Sequence, residues 1–319
     1  MQAFAIDNFG QRGSVRELPT PEPARGEVRI RVSVAGVNPV DAAVAEGYLK
    51  DMMEHHFPLV PGIDASGVVD AVGEGVDTWV PGDEVFGAVG KMYFGEGTYA
   101  EFATMSAATI ARRPESVGHP EAASIPTPGV TAQMMFEALA LGQNEILLAI
   151  GAAGGVGTFL VQLAARRGAR VIAVCRGENA DYVRALGASD VIDYTAEEVG
   201  EALRSRYPDQ IDAIADMVGQ KEEVTRLSEQ VRPGGRVASA VGGADEVVLG
   251  QRGIKATNVN AMVTSERLAI LAQMLADAQL QSPQIQPFFL PDAGEALLKI
   301  ASRHVRGKLV LSVHQLPTG

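Results

Sequence analysis

Two stretches of this sequence pair residue types and spacings that fit recognisable chemistry. The first is Ala149–Arg176, AIGAAGGVGTFLVQLAARRGARVIAVCR. Gly154 and Gly157 hold the last two positions of a G-x-G-x-x-G fingerprint, with Ala152 in place of the first glycine. Gly151, Ala153, Gly154, Gly155, Val156 and Gly157 then form a turn with little side-chain bulk, which lets backbone approach a pyrophosphate closely. The phosphates would rest on the first N–H groups of the following helix, favoured by its dipole. A glycine turn that only packs a helix on a strand would use the same residues. The flanking order of strand, turn, helix and second strand is what selects nucleotide binding.

The end of that second strand bears on which nucleotide. A site for NAD places Asp or Glu there to accept the ribose 2′-OH, whereas this chain has Cys175 and Arg176. A guanidinium suits a 2′-phosphate, so NADPH is the expected cofactor. Tyr194, after the third expected strand, is placed to lend its hydroxyl to the same phosphate.

The second stretch is residues 35–49, AGVNPVDAAVAEGYL, which offers Asn38, Asp41 and Tyr48 in a small and apolar run. Asn38 precedes a proline and suits a turn as well as it suits a site. Asp41 reads as a helix cap rather than a catalyst. Tyr48 carries a hydroxyl donor, with Lys50 the nearest alternative.

The elements that must position these residues can be read from hydrophobic periodicity. Residues 27–34, EVRIRVSV, alternate as a strand with one buried face, and 97–105, GTYAEFATM, alternates likewise. Pro-Gly and Gly-x-Gly signals in VPGID, VGEGVD and VPGDEV mark turns of a β-rich first third. From about residue 124 the rhythm becomes helix 129–141, strand 145–150, helix 156–167, strand 170–175, helix 179–186, strand 190–193, helix 196–206, strand 211–216, helix 221–230 and strand 235–241. Such alternation predicts a parallel sheet covered by helices. A helix at 264–279, a proline-punctuated loop, a helix near 292–302 and a last strand GKLVLSV follow. The expected division is 1–123, 124–262 and 263–319, the last part returning to the first domain.

Composition narrows the functional classes. A formal charge of −12 repels phosphate polymers and anionic membranes, so nucleic acid is not an expected partner. A single cysteine, Cys175, allows neither an internal disulfide nor a four-cysteine zinc site and suits a reducing, cytoplasmic setting. The N-terminus has no basic segment followed by an apolar core. Residues 146–165 carry no charge over a membrane-spanning length, yet four mid-run glycines fit a buried strand, a turn and a helix better, so no membrane partner is expected.

AGVNPVD, FPLVPGIDASGVVDAVGEGVDTWVPGDEVFG, GTYAEFA, GAAGGVG, GGRV and RGKLVL together resemble the zinc-independent quinone oxidoreductases of the medium-chain dehydrogenase/reductase superfamily. That resemblance implies an α/β fold, a Rossmann doubly wound parallel sheet plus a GroES-like β-rich domain, with the active site in a cleft. Zinc-dependent relatives carry Cys where Asn38 stands and His-Glu where this chain has Ile63-Asp64, so no metal site is expected. Adjacent His55 and His56 on an extended segment point oppositely and read as loop residues.

By the same resemblance, NADPH delivers hydride to a quinone or to the β-carbon of an α,β-unsaturated carbonyl. Asn38 then faces the nicotinamide side, pairing with a carboxamide, a ribose hydroxyl or a substrate oxygen. Thr131 faces the nicotinamide, and Val241 and Gly242 in AVGG run beneath it. Relatives place a tyrosine as Gly-x-Tyr, whereas here the order is Gly47-Tyr48. The expected state is a homodimer. An enoyl-thioester reductase and a non-catalytic NADPH sensor are the competing readings.

Overall fold

The strand Glu27–Val37 is the axis of the first unit of the chain. Its opening half alternates, burying Val28, Ile30 and Val32 while Arg29 and Arg31 face outward. From Val34 the alternation stops and both faces are buried, which is why the strand runs three residues past the periodic signal. Strand Asp64–Val72 pairs antiparallel along one side of it. Phe102–Ser106 and then Lys308–Ser312 pair antiparallel with its first and last parts. Glu84–Ala88 and Ile110–Arg112 extend the sheet one way and Ile285–Phe289 the other, making seven strands. The computed structural model describes residues 1–313, and this unit comprises Met1–Thr127 together with the chain from Val263 onward.

The second unit, Pro128–Met262, holds a six-stranded sheet in the order Asp190–Asp193, Arg170–Cys175, Ile146–Ile150, Ile211–Asp216, Val231–Ser239 and Lys255–Asn258. Every pairing is parallel. This is the order of a doubly wound Rossmann sheet, which reverses beside Ile146–Ile150 and leaves a ligand crevice at the carboxyl ends of the strands there. Leu147, Leu148 and Ala149 are wholly buried, as a strand covered on both faces requires. The charge-free run 146–165 thus splits into the strand, a turn at Gly151 (φ +83°) and the helix Gly155–Arg166. Among the described residues no helix is long and apolar enough to cross a membrane.

Several elements differ from the sequence reading, each for a local reason. The helix expected from 129 spans Pro126–Leu139, because prolines in a first turn remove only N–H groups that have no helical partner. The strand expected over 97–105 is interrupted. Tyr93–Glu96 and Phe102–Ser106 are strands, while the N–H groups of Gly97, Thr98 and Tyr99 bond the carbonyls of Val60, Gly62 and Pro61. His55 and His56 lie on the strand Glu54–Val60, not in a loop. They do point apart, His55 to Phe9 and Phe94, His56 to Tyr93 and Glu54. The proline-punctuated loop holds Ile285–Phe289, whose Pro287 is tolerated because the strand is at the sheet edge. Helix Glu246–Gln251 and strand Lys255–Asn258 carry no periodic signal long enough to read.

Candidate active site

In the first unit, strand register assembles a buried polar cluster around Asn38. Val37 pairs with Leu309 and Gly36 with Asp64, so Asn38, the next residue, emerges between Lys308 and Asp64. The Asn38 Nδ2 donates to Asp64 Oδ2 at 2.9 Å, and the Lys308 ammonium donates to Asn38 Oδ1. Lys308 Nζ is also 3.8 Å from Asp64 Oδ2. Thr127 completes the shell of Asp64 through its N–H at 3.1 Å and its hydroxyl at 2.7 Å. Asn38 is 2% exposed, Asp64 0% and Lys308 3%. Burial raises the Asp64 carboxyl and lowers the Lys308 amine, and the charge of each partner works against that shift in the other.

Asp41, expected to cap a helix starting at its own position, is instead the third residue of helix Pro39–Ala45, with Asn38 as the N-cap and Asp41 the acidic partner of its capping box. Its Oδ2 accepts the Asn38 N–H at 2.8 Å and the Tyr99 hydroxyl at 3.0 Å, while its Oδ1 is buried without a partner. Burial, reinforced by the charge of Asp64, pushes the Asp41 carboxyl up to about 7. Burial and the neighbouring Asp41 together raise the Tyr99 phenol well above its usual value. Asp41 also lines a small cavity of about 40 Å³, walled by Val44, Val60, Val89 and Phe94 and bounded by Lys91. That lysine is held by Glu96 at 2.8 Å and Glu27 at 3.1 Å. Tyr48 stands apart from the buried cluster in character, with 77% of its surface exposed. Lys50 is likewise exposed.

In the second unit, the turn 151–157 leads into the helix Gly155–Arg166, where Gly154 is the N-cap. A Cβ on Gly157 would lie 2.5 Å from the Ala152 carbonyl oxygen and 2.6 Å from that of Gly151, so only glycine lets this helix pack so closely on the turn that precedes it. A Cβ on Gly154 would meet nothing nearer than 3.5 Å, and the space beside that backbone is open. Ala153 is buried and Gly155 and Val156 partly so. The N–H groups of the first helical turn have no intrahelical acceptor and are free for a pyrophosphate. Arg176 follows strand Arg170–Cys175 directly, and its Nε donates to the Tyr194 hydroxyl at 3.1 Å. Two residues proposed for one phosphate are therefore neighbours.

Thr131 lies buried on the helix Pro126–Leu139. Val241 and Gly242 sit in the turn after strand Val231–Ser239, Val241 49% exposed and Gly242 at φ +79° with open space where a Cβ would project. Two residues outside the sequence reading shape that turn. The Ser239 hydroxyl accepts the N–H groups of Val241 (3.2 Å) and Gly243 (2.9 Å) and donates to Asp216 Oδ2 at 2.6 Å. Asp216 Oδ1 holds the N–H groups of Val218 and Gly219 in turn. The signal was present in outline: both residues end parallel strands, where ligand loops begin. Lys308 and Tyr99 were also missed. A lone lysine opening the apolar strand KLVLS is the mark that would have found the first.

The sequence matches the alcohol dehydrogenase GroES-like domain over residues 24–115 and the zinc-binding dehydrogenase family over residues 155–277. It is 31% identical to the human mitochondrial NAD(P)H oxidoreductase RTN4IP1 across 98% of this chain and 89% of that protein. It is 29% identical to the chloroplastic quinone-oxidoreductase QR1 of Triphysaria versicolor, over 98% of both. Among solved structures, the quinone oxidoreductase of Coxiella burnetii superposes with a TM-score of 0.87 at 29% identity, over 98% of this chain and 99% of that one.

Proposed function

We propose that this chain, which belongs to the quinone-oxidoreductase family of medium-chain dehydrogenases/reductases, is an NADPH-dependent, zinc-free reductase of quinones or α,β-unsaturated carbonyls. The observation that carries the cofactor choice is the Arg176–Tyr194 pair at the end of the second strand of the Rossmann sheet, where a carboxylate would otherwise select NAD. A guanidinium braced by a phenol offers charge-assisted donors to a 2′-phosphate. The residues of the glycine turn, Gly151, Ala153, Gly154, Gly155, Val156 and Gly157, hold the pyrophosphate, and Val241 and Gly242 back the nicotinamide.

When bound, NADPH supplies the hydride, which the protein's own groups need only direct. Asn38 and Thr131 orient the reactants. As negative charge grows on the acceptor's carbonyl oxygen, the Asn38 amide proton and the Tyr48 hydroxyl are the donors that answer it. A proton from Tyr48 or solvent then completes reduction. The donor set around Asn38 does not fit zinc: an amide and an isoleucine replace a thiolate and an imidazole, and the Lys308 ammonium lies against the same Asp64 carboxylate that a cation would need. Chemistry without zinc is therefore part of the proposal. So is a homodimeric state, which sedimentation tests directly.

Steady-state NADPH oxidation against a panel of quinones, enones and crotonyl thioesters tests this reading. Turnover with quinones or enones is expected. Turnover confined to the thioesters would make it an enoyl-thioester reductase, and NADPH binding without turnover of any acceptor would make it a sensor.

A further inference from the structure

We propose that Lys308 and Asp64 are positioning residues for the Asn38 amide, gripping it from its two ends so that reduction proceeds with one fixed amide orientation; the inference rests on the reading above that Asn38 faces the reactants. Asparagine before a helix ordinarily spends its side chain on capping. Asn38 shares a capping box with Asp41, whose carboxylate accepts the Asn38 N–H, but its amide also has partners outside helix Pro39–Ala45. The amide is committed to Asp64 and Lys308.

The two ends of a primary amide differ little in shape, so an asparagine held by packing alone can turn over. A flip here would press the NH₂ group against an ammonium and the oxygen against a carboxylate, losing both hydrogen bonds at once. Only one orientation survives. It leaves the amide one proton for a partner. Asp64 cannot swing away, because Thr127 holds it through both N–H and hydroxyl.

The main chain is cut to admit this arrangement. A Cβ on Gly36 would lie 2.4 Å from the Ala123 carbonyl oxygen, 3.1 Å from Asp64 Cβ and 3.4 Å from Lys308 Cε. The charges also bear on reactivity. An ammonium on the amide oxygen draws electron density from the nitrogen, making the remaining N–H a stronger donor where the surroundings are dry. That donor matters most when the acceptor's oxygen gains charge.

A double-mutant cycle on the full chain with NADPH and 1,4-naphthoquinone tests the inference. Removing Lys308 alone strands a buried carboxylate, so the charge-neutral combination of Lys308→Met with Asp64→Asn is used, and thermal unfolding confirms that each variant folds. In the otherwise native protein that combination is expected to lower kcat by roughly tenfold, with KM for NADPH nearly unchanged, because coupled neighbours interact at that scale. In an Asn38→Ala background the same combination is expected to have no further effect on kcat. A merely structural role would lower thermal stability in both backgrounds and leave no such coupling in kcat. An equal loss in both backgrounds, or no loss in either, overturns the inference while leaving the proposed function standing. If Asn38→Ala alone leaves kcat intact, the assignment of Asn38 to the site fails first, and the inference with it.

Discussion

Asp41 offers a quantitative check on the buried cluster, through the substitution Asp41→Asn. The carboxyl faces the Asn38 N–H, the Tyr99 hydroxyl and, at longer range, the opposed charges of Asp64 and Lys308. Burial dominates and raises it from 3.8 to about 7. The folded-state value lies above the unfolded one, so the associated stability is fully present below about pH 3.8 and is lost as pH rises through about 7. Integrating over that window gives a loss of ~2.5 kcal/mol between pH 5 and pH 8.

An asparagine at this position keeps an acceptor for Asn38 and Tyr99 but cannot titrate. Its NH₂ replaces the unpartnered Oδ1, a buried donor without a partner that costs about 1–3 kcal/mol at every pH. Trp79, the single tryptophan and part of the core of the first unit, reports unfolding of that unit by fluorescence. Urea titrations at pH 5, 6, 7 and 8 should therefore show the advantage of the native protein over Asp41→Asn shrinking by ~2.5 kcal/mol across the series. Parallel pH dependences would mean that Asp41 is ionised throughout and that its burial has been misjudged.

Gly157→Ala forces a Cβ against two backbone oxygens at 2.5 and 2.6 Å, so it should cost about 1–3 kcal/mol in urea unfolding followed by circular dichroism and weaken NADPH in a fluorescence titration; a variant with native stability and affinity would show that the turn has slack. Arg176→Asp puts a carboxylate where the 2′-phosphate is expected and should shift the NADPH/NADH ratio of kcat/KM toward NADH by roughly a hundredfold. Retained preference for NADPH would remove Arg176 from cofactor selection. Tyr48→Phe, at a residue 77% exposed, should leave stability within about 0.5 kcal/mol while slowing turnover of a good enone by roughly tenfold; equal turnover would take Tyr48 out of the mechanism.

What could be read from the sequence followed the range of the interactions involved. The parallel sheet announced itself because most strands of the doubly wound unit, from Ile146–Ile150 to Ile211–Asp216, are short apolar runs each followed by a helix, a pattern contained within some thirty residues at a time. The glycine turn was legible for the same reason, since fingerprint, strand and helix are contiguous. Ile285–Phe289 was not, because an edge strand containing Pro287 looks like a loop until Lys308–Ser312 is known to lie beside it. The interrupted segment 97–101 alternates like a strand, yet three of its N–H groups are taken by the carbonyls of Val60, Pro61 and Gly62, some forty residues earlier. Periodicity reports which face is apolar and is silent on which partner takes the hydrogen bonds.

The site divides along the same line. Asn38, Asp41, Arg176 and Tyr194 stood out because each sits in or beside a recognisable local pattern, whereas the group that decides how Asn38 behaves is 270 residues away. Nothing in RGKLVL states that its lysine will meet NPVD; that contact exists because Val37 pairs with Leu309 in an antiparallel ladder, which sets Asn38 beside Lys308 at the same end of the two strands. Once the register is set, the ammonium has little choice. A lysine 3% exposed at the end of a buried strand must find negative or polar partners or lose its charge. Asp64 meets the need for a counter-charge, and the Asn38 oxygen is the neutral acceptor within reach. The asparagine that local sequence presents as a turn former is thereby converted, by long-range register alone, into an amide of fixed orientation.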